Sequence, residues 1–249
     1  MDIHGATDPH QYDSPELDWR ISGAEDRAFR VYSREQLDTV ISPNALKGKR
    51  ALDIGSGVGQ LFNWLKNKGA VEIVGIDPSI RNVKTTKEKY PWVTSVQSTL
   101  HEFASKSSEK FNTAFAILVF EHIEDLGEAF RDIHSLLNDG GAFYLMIADK
   151  EYNLIRDKNI RGAKFVSFEI MRELDNGVIE TKTIRDDGES GTTALYDLLR
   201  PIEQVYKAAQ ENGFEITHTQ PVLGPYTVLP AERKYTICNL IVFKKINVD

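Results

Sequence analysis

The stretch Ala51-Leu-Asp-Ile-Gly-Ser-Gly-Val-Gly59 constrains this chain more than any other. Ala51, Leu52 and Ile54 have the apolar character of a buried strand. Gly55, Gly57 and Gly59 then make a turn almost free of side-chain bulk. Gln60 to Lys68 follows with helical character and stops at Gly69. Strand, glycine turn and helix form a βα unit whose backbone can press against a nucleotide-like ligand. Glycine is needed there because it tolerates positive φ and lets backbone N–H groups come close. The spacing is G-x-G-x-G, since position 60 is Gln. The next apolar run, Val71 to Asp77, ends in an acid 18 residues beyond Gly59. A carboxylate at that place can accept both hydroxyls of a ribose. A pyrophosphate prefers a helix N-terminus free of negative charge. Asp53, just before the turn, suits instead a cationic ligand that carries an amino acid.

The same rhythm continues along the chain. Pro78 and Ser79 precede a polar helix from Ile80 to Tyr90, with Pro78 read as a first helical position. Pro91 stops it, and Trp92 to Gln97 reads as a third strand. Phe111 to Phe120 is apolar enough for a strand buried on both faces. Leu126 to Leu137 has helical spacing, Asn138 to Gly141 ends it, and Ala142 to Ala148 is a fifth strand. Five β–α repeats imply a doubly wound, mostly parallel sheet. Residues 149–199 break the rhythm with two strands, Lys164 to Leu174 and Val178 to Arg185, joined through Asp175-Asn-Gly177. Asn-Gly between β-rich runs signals a hairpin. A helix from Ile202 to Asn212, capped by Gly213, and strands Phe214 to Thr219 and Tyr235 to Phe243 close the chain. The final pair supplies the antiparallel edge region of a seven-stranded sheet. Before the first strand, 24–41 has near-helical spacing, and 1–22 is polar with Tyr12, Trp19 and Arg20.

At 249 residues the chain suffices for one large α/β domain. The expected organisation is a lid and helix over 1–42, a ligand-binding core over 43–148, a hairpin cap over 149–199, and a last helix with strands over 200–249. A net charge of −7 argues against a nucleic-acid backbone as the main partner. The single cysteine, Cys238, excludes an intramolecular disulfide and any cysteine-based zinc cluster. The first residues lack a basic region and an apolar region. No run approaches the ~20 apolar residues of a membrane span. The expectation is a cytoplasmic protein with no membrane partner.

Residues 50–59 and 71–79 resemble motif I and the following acidic motif of class I S-adenosylmethionine-dependent methyltransferases. Phe120-Glu-His-Ile123 resembles the Leu-Glu-His-Val pattern after the family's fourth strand. Leu136-Leu-Asn-Asp-Gly-Gly141 resembles the segment before its fifth, and Arg200-Pro201 with Gly213-Phe-Glu215 a late series. The resemblance covers roughly 30–150 and implies a Rossmann-like sheet with S-adenosyl-L-methionine as cofactor. It implies cofactor contacts from Asp53, Gly55, Ser56, Gly57, Gly59, Asp77, Pro78, Ser98, Thr99, Leu100 and Leu118. A basic residue on the helix before motif I, here Arg34, would reach the methionine carboxylate. Many relatives have Asp where this chain has Thr99, so the adenine contact falls to the Thr hydroxyl or the backbone, with Leu100 on the purine face.

Methyl transfer from a sulfonium is an in-line displacement, and much of the catalysis comes from holding the nucleophile against the methyl in a dry cleft. A base is needed when the acceptor must lose a proton. His122 has a reference pKa in the useful range, about 6.5, with Tyr12 and Tyr152 as substitutes. Glu121 reads equally as a structural carboxylate. Nothing in the spacing of His101, Glu102 and His122 demands a metal. The expected acceptor is a small molecule methylated at oxygen, with nitrogen and carbon as rivals. An inactive binding module of the same fold and a dinucleotide-dependent enzyme are the alternatives. Asp53 and the glycine spacing count against the latter.

Overall fold

The computed structural model describes residues 5–9, 11–13, 33–155, 165–186, 192–223 and 236–246. Trp19, Arg20 and 24–32 of the expected first helix lie outside the described residues. The rest of that helix, α1, is helical over 33–40.

Alternation of apolar side chains builds a sheet covered on both faces. Strand β1 (Arg50–Ile54) sends Leu52 and Ile54 to one face and Ala51 to the other, the period of two that a pleated strand imposes. Parallel neighbours are β2 (Glu72–Asp77), β3 (Thr94–Gln97), β4 (Phe111–Ile117) and β5 (Leu137–Ala148). Strands β9 (Phe214–Leu223) and β10 (Thr236–Lys245) complete a seven-stranded sheet of order β3-β2-β1-β4-β5-β10-β9, in which β10 runs antiparallel to both neighbours. This is the sheet expected from the sequence. Strand β5 begins earlier than expected, because Leu137 already pairs with Phe111 and the Asn138–Gly141 segment is absorbed as a bulge.

Helices α4 (Leu100–Lys106), α5 (Leu126–Leu136) and α7 (Ile202–Glu211) cover one face. Five phenylalanines are stacked there, with Phe130 lying edge-on to Phe243 at 5.3 Å and Phe143 stacked on Phe243 at 5.6 Å. Helices α1, α2 (Phe62–Asn67) and α6 (Lys150–Ile155) cover the other. Cys238 is buried in that second core. Helix α3 (Ile80–Lys89) starts at the expected residue and ends one residue earlier. Ser79, not a proline at the first helical position, is its cap, accepting the Asn82 N–H.

The insertion has three strands rather than two. Strands β6 (Phe165–Glu173) and β7 (Ile179–Asp186) form the expected hairpin through Gly177, which has φ +78°. Strand β8 (Thr192–Leu199) then pairs antiparallel with β7. An acid in its apolar run, Asp197, hides β8 from a search for continuous hydrophobicity.

Among the described residues no helix is long and apolar enough to cross a membrane.

Gly59 shows what its motif demands. Its φ is +79°, and a Cβ there would stand 2.6 Å from Phe62 Cδ2 and from Tyr90 Cε2. Gly59→Ala should therefore combine backbone strain with overpacking, lowering the stability measured by urea unfolding by about 1–3 kcal/mol.

Candidate active site

The carboxyl ends of β1, β2 and β4 open into a cleft of about 510 Å³, the volume range of small-molecule sites. It lies where the strand order reverses between β1 and β4, the place such sheets offer to ligands. Asp77 ends β2 and organises this region. Its Oδ2 accepts the Gly57 N–H at 2.8 Å, and its Oδ1 accepts the Ser79 N–H at 3.0 Å and the Asn82 side-chain amide at 3.1 Å. Asp53 faces the same cleft and is 3% exposed. Burial, and secondarily the charge of Asp77, push its carboxyl well above the usual range.

Gly55, Ser56, Gly57, Pro78, Ser98, Thr99, Leu100 and Leu118 also line the cleft. Gly55 must lack a side chain, since its Cβ would meet Val119 at 2.5 Å. The Thr99 hydroxyl accepts the Glu102 N–H while the Glu102 carboxylate takes the Thr99 N–H, a capping box that starts α4. Both Thr99 groups nominated for adenine therefore also hold the helix end. Leu118 has φ +56°, unusual for a leucine, and its N–H donates to Met146 O. Two nominated residues do not line the cleft. Gly59 points into the Phe62–Tyr90 packing, and Arg34 is held outside, at 3.5 Å from Gln60 O, while its neighbour Ser33 lines the wall.

A strap of residues 5–9 and 11–13 crosses the mouth. Asp13 accepts the Ser79 hydroxyl at 2.6 Å, and Ala6 N–H donates to Glu180 Oε1 in β7 at 3.0 Å. Tyr12 OH lies 2.5 Å from His122 Nε2, and Ala6 O lies 3.3 Å from His122 Nδ1. The Gln11 side-chain amide lies 3.4 Å from the same Nδ1, and Asp197 Oδ1 lies 3.8 Å from Nε2. Across the mouth, β7 and β8 present Thr183, Leu195, Asp197 and Leu199. Reading 192–199 as a strand with period two would have found the last three. Tyr152 is buried in the second core and does not line the cleft.

Glu121 sits in the short turn Phe120–His122 after β4. It lines the cleft, is 3% exposed, and accepts the Ala148 N–H on Oε1 at 2.5 Å. Its Oε2 is buried without a hydrogen-bond partner. Desolvation raises its pKa to about 7 against the opposing pull of the Ala148 N–H. Arg200 braces this turn, donating to the carbonyls of Phe120, Ile123 and Glu124. His101 lies elsewhere, against Asp132 and Glu128 on the exposed side of α5, so His101, Glu102 and His122 are not assembled into one group.

The sequence profile of a methyltransferase domain matches residues 24–219. The chain belongs to the class I S-adenosylmethionine-dependent methyltransferase family. Ubiquinone biosynthesis O-methyltransferase of Rhodopseudomonas palustris (strain BisA53) is 34% identical over 111 residues, 43% of this chain and 42% of that protein. The chain spans about half the length of the first curated relatives it matches. A protein of the same name from Vibrio vulnificus (strain YJ016) is 24% identical over 81% of this chain and 90% of its own. Two solved structures share the fold. A S-adenosylmethionine-dependent methyltransferase from Clostridium acetobutylicum superposes with TM-score 0.64 at 16% identity, covering 92% of this chain and 96% of that one. Magnesium protoporphyrin IX methyltransferase from Synechocystis, with bound SAM, gives 0.60 at 16% identity, covering 94% and 93%.

In this methyltransferase-family chain, Glu121 makes folding depend on pH. The native state keeps its proton up to about pH 7, whereas an unfolded glutamate loses it near 4.5. Between those values the native state binds more protons, so stability falls as pH rises, by up to about 3 kcal/mol for such a shift. Glu121→Gln should remove that slope in urea titrations repeated from pH 4.5 to 8.

Proposed function

We propose that this chain transfers a methyl group from S-adenosylmethionine to an oxygen of a small acceptor. The observation that carries it is the pair of buried carboxylates, Asp53 and Asp77, beside the glycine turn in one cleft. The donor set fits the cofactor chemically. Asp77 would accept the ribose hydroxyls, Asp53 would meet the ammonium of the methionine part, and Ser98 to Leu100 would flank the adenine. Bound there, the cofactor supplies an electrophilic methyl group. The glycine turn lets backbone approach it, and the strap excludes water from the reaction.

The insertion and strap define the acceptor's end, so a metabolite-sized molecule suits the space better than a polynucleotide. The name shared by the first relatives supports oxygen as the methylated atom. His122 was the base expected from the sequence. Its ring nitrogens face Tyr12, Ala6 and Gln11 of the strap, with Asp197 at 3.8 Å from Nε2, so the strap would have to release it before it could accept from a ligand. A dinucleotide-dependent enzyme is disfavoured, because a pyrophosphate would meet Asp53 and Asp77.

Calorimetric titration tests the cofactor. S-adenosylhomocysteine should bind and NAD should not. Asp77→Asn should weaken S-adenosylhomocysteine by about 1.5–3 kcal/mol through loss of a charged hydrogen bond. Affinity equal to wild type in that variant would remove Asp77 from the ribose.

A further inference from the structure

We propose that Glu121, rather than His122, is the group that takes the proton from the acceptor hydroxyl, and that Arg200 is its positioning residue. The inference rests on the methyl-transfer reading above. Two independent observations carry it. Glu121 lines the cleft, and its buried Oε2 has no partner. Buried polar atoms in folded proteins are nearly always paired, so an unsatisfied carboxylate oxygen in a ligand cleft is a place made for a donor. An acceptor hydroxyl seated between Glu121 and Asp197 would supply it. His122, by contrast, has Tyr12 OH at Nε2 and the Ala6 carbonyl at Nδ1, and would have to release the strap to accept from a ligand.

The surroundings suit the task. Asp197 on β8 disfavours the ionised form of Glu121, and Arg200 favours it. His122 adjoins it on the same turn, and Tyr12 stands beyond His122 on the strap. On β5 the contact is the neutral Ala148 N–H. The carboxyl is pushed up to about 7, which makes it a stronger base than an ordinary carboxylate while leaving it partly ionised at neutral pH. The Arg200 guanidinium holds three carbonyls of 120–124, so the backbone that aims Glu121 is fixed from the end of β8.

In the step, the acceptor O–H bond breaks and its proton passes to Glu121 Oε2. The oxygen's electron pair forms the bond to the methyl carbon. The carbon–sulfur bond breaks, and its electron pair stays on sulfur. The proton leaves to solvent when the strap opens.

The test combines S-adenosylhomocysteine titration, infrared spectra of that complex, and labelled methyl transfer to a panel of phenols and aliphatic alcohols. Glu121→Gln should bind S-adenosylhomocysteine as wild type does, yet lose about 10²–10⁴-fold in turnover. It should also lose the acidic limb of its pH–rate profile. His122→Gln should retain that limb. The carbonyl band of a protonated carboxyl should titrate near pH 7 in wild type and His122→Gln and be missing in Glu121→Gln. Glu121→Asp keeps a carboxylate at shorter reach and should retain a limb at reduced rate, a second reading should the Gln variant not fold. Turnover of Glu121→Gln within threefold of wild type, or a limb lost only with His122, overturns this inference alone. Binding of S-adenosylhomocysteine without transfer to any hydroxyl overturns the oxygen acceptor and this inference with it. Failure of the wild type to bind S-adenosylhomocysteine overturns the methyl-transfer reading itself.

Discussion

The structure around the cleft depends on one carboxylate. Asp77 sits at the end of β2 and accepts donors from two loops, the Gly57 amide of the glycine turn and the Ser79 amide with Asn82 at the start of α3. Those amides would otherwise be orphan donors at a buried strand end. Negative charge there also suits the positive end of the α3 dipole. The same charge reaches Asp53 one strand away and adds to the burial that pushes that carboxyl above its usual range. The glycine turn, a helix start and the raised pKa of a neighbouring acid are therefore linked through a single side chain.

How much of this could be read from the sequence follows from the range of each force. The glycine turn, Asp77 and the alternation on β1 are local, and they led directly to the sheet and its cleft. Strand β8 escaped because Asp197 interrupts its apolar run, although that residue faces the cleft with Leu195 and Leu199 at spacings of two. Thr99 lines the cleft as the sequence suggested, but its second role escaped because Glu102, three residues on, was not connected with it as a capping box. Glu121 could not be separated from a structural acid, since what distinguishes it is burial by β5 and β8, contacts that come from distant parts of the chain. Arg34 lies on the expected helix, but helical phase decides which neighbour reaches the cleft, and that neighbour is Ser33.

The strap and the insertion act on the cleft as one wall. The strap touches the core through Asp13 and Tyr12 and the insertion through Ala6 and Gln11, whose side-chain oxygen accepts the Tyr196 N–H. Ordering each backbone residue costs about 1–2 kcal/mol, whereas a typical hydrogen bond returns about 1 kcal/mol net. The described strap residues, 5–9 and 11–13, are held largely by such hydrogen bonds to the core and the insertion. A cleft that must admit an acceptor and release a product needs a wall of that kind.

The charge of the cleft narrows what can occupy it. Asp8, Asp53, Asp77, Glu121 and Asp197 line it, and among the described lining residues there is no lysine or arginine. Burial foremost, and beside it the charges of Asp77 and Asp197, push the Asp53 and Glu121 carboxyls above their usual range. A sulfonium with an ammonium beside Asp53 would offset that crowding of acids, and a carboxylate or phosphate on the acceptor would add to it. Such a lining would favour acceptors that bring hydrogen-bond donors rather than anionic groups, and the unpartnered Glu121 oxygen is where the first of those donors would fit.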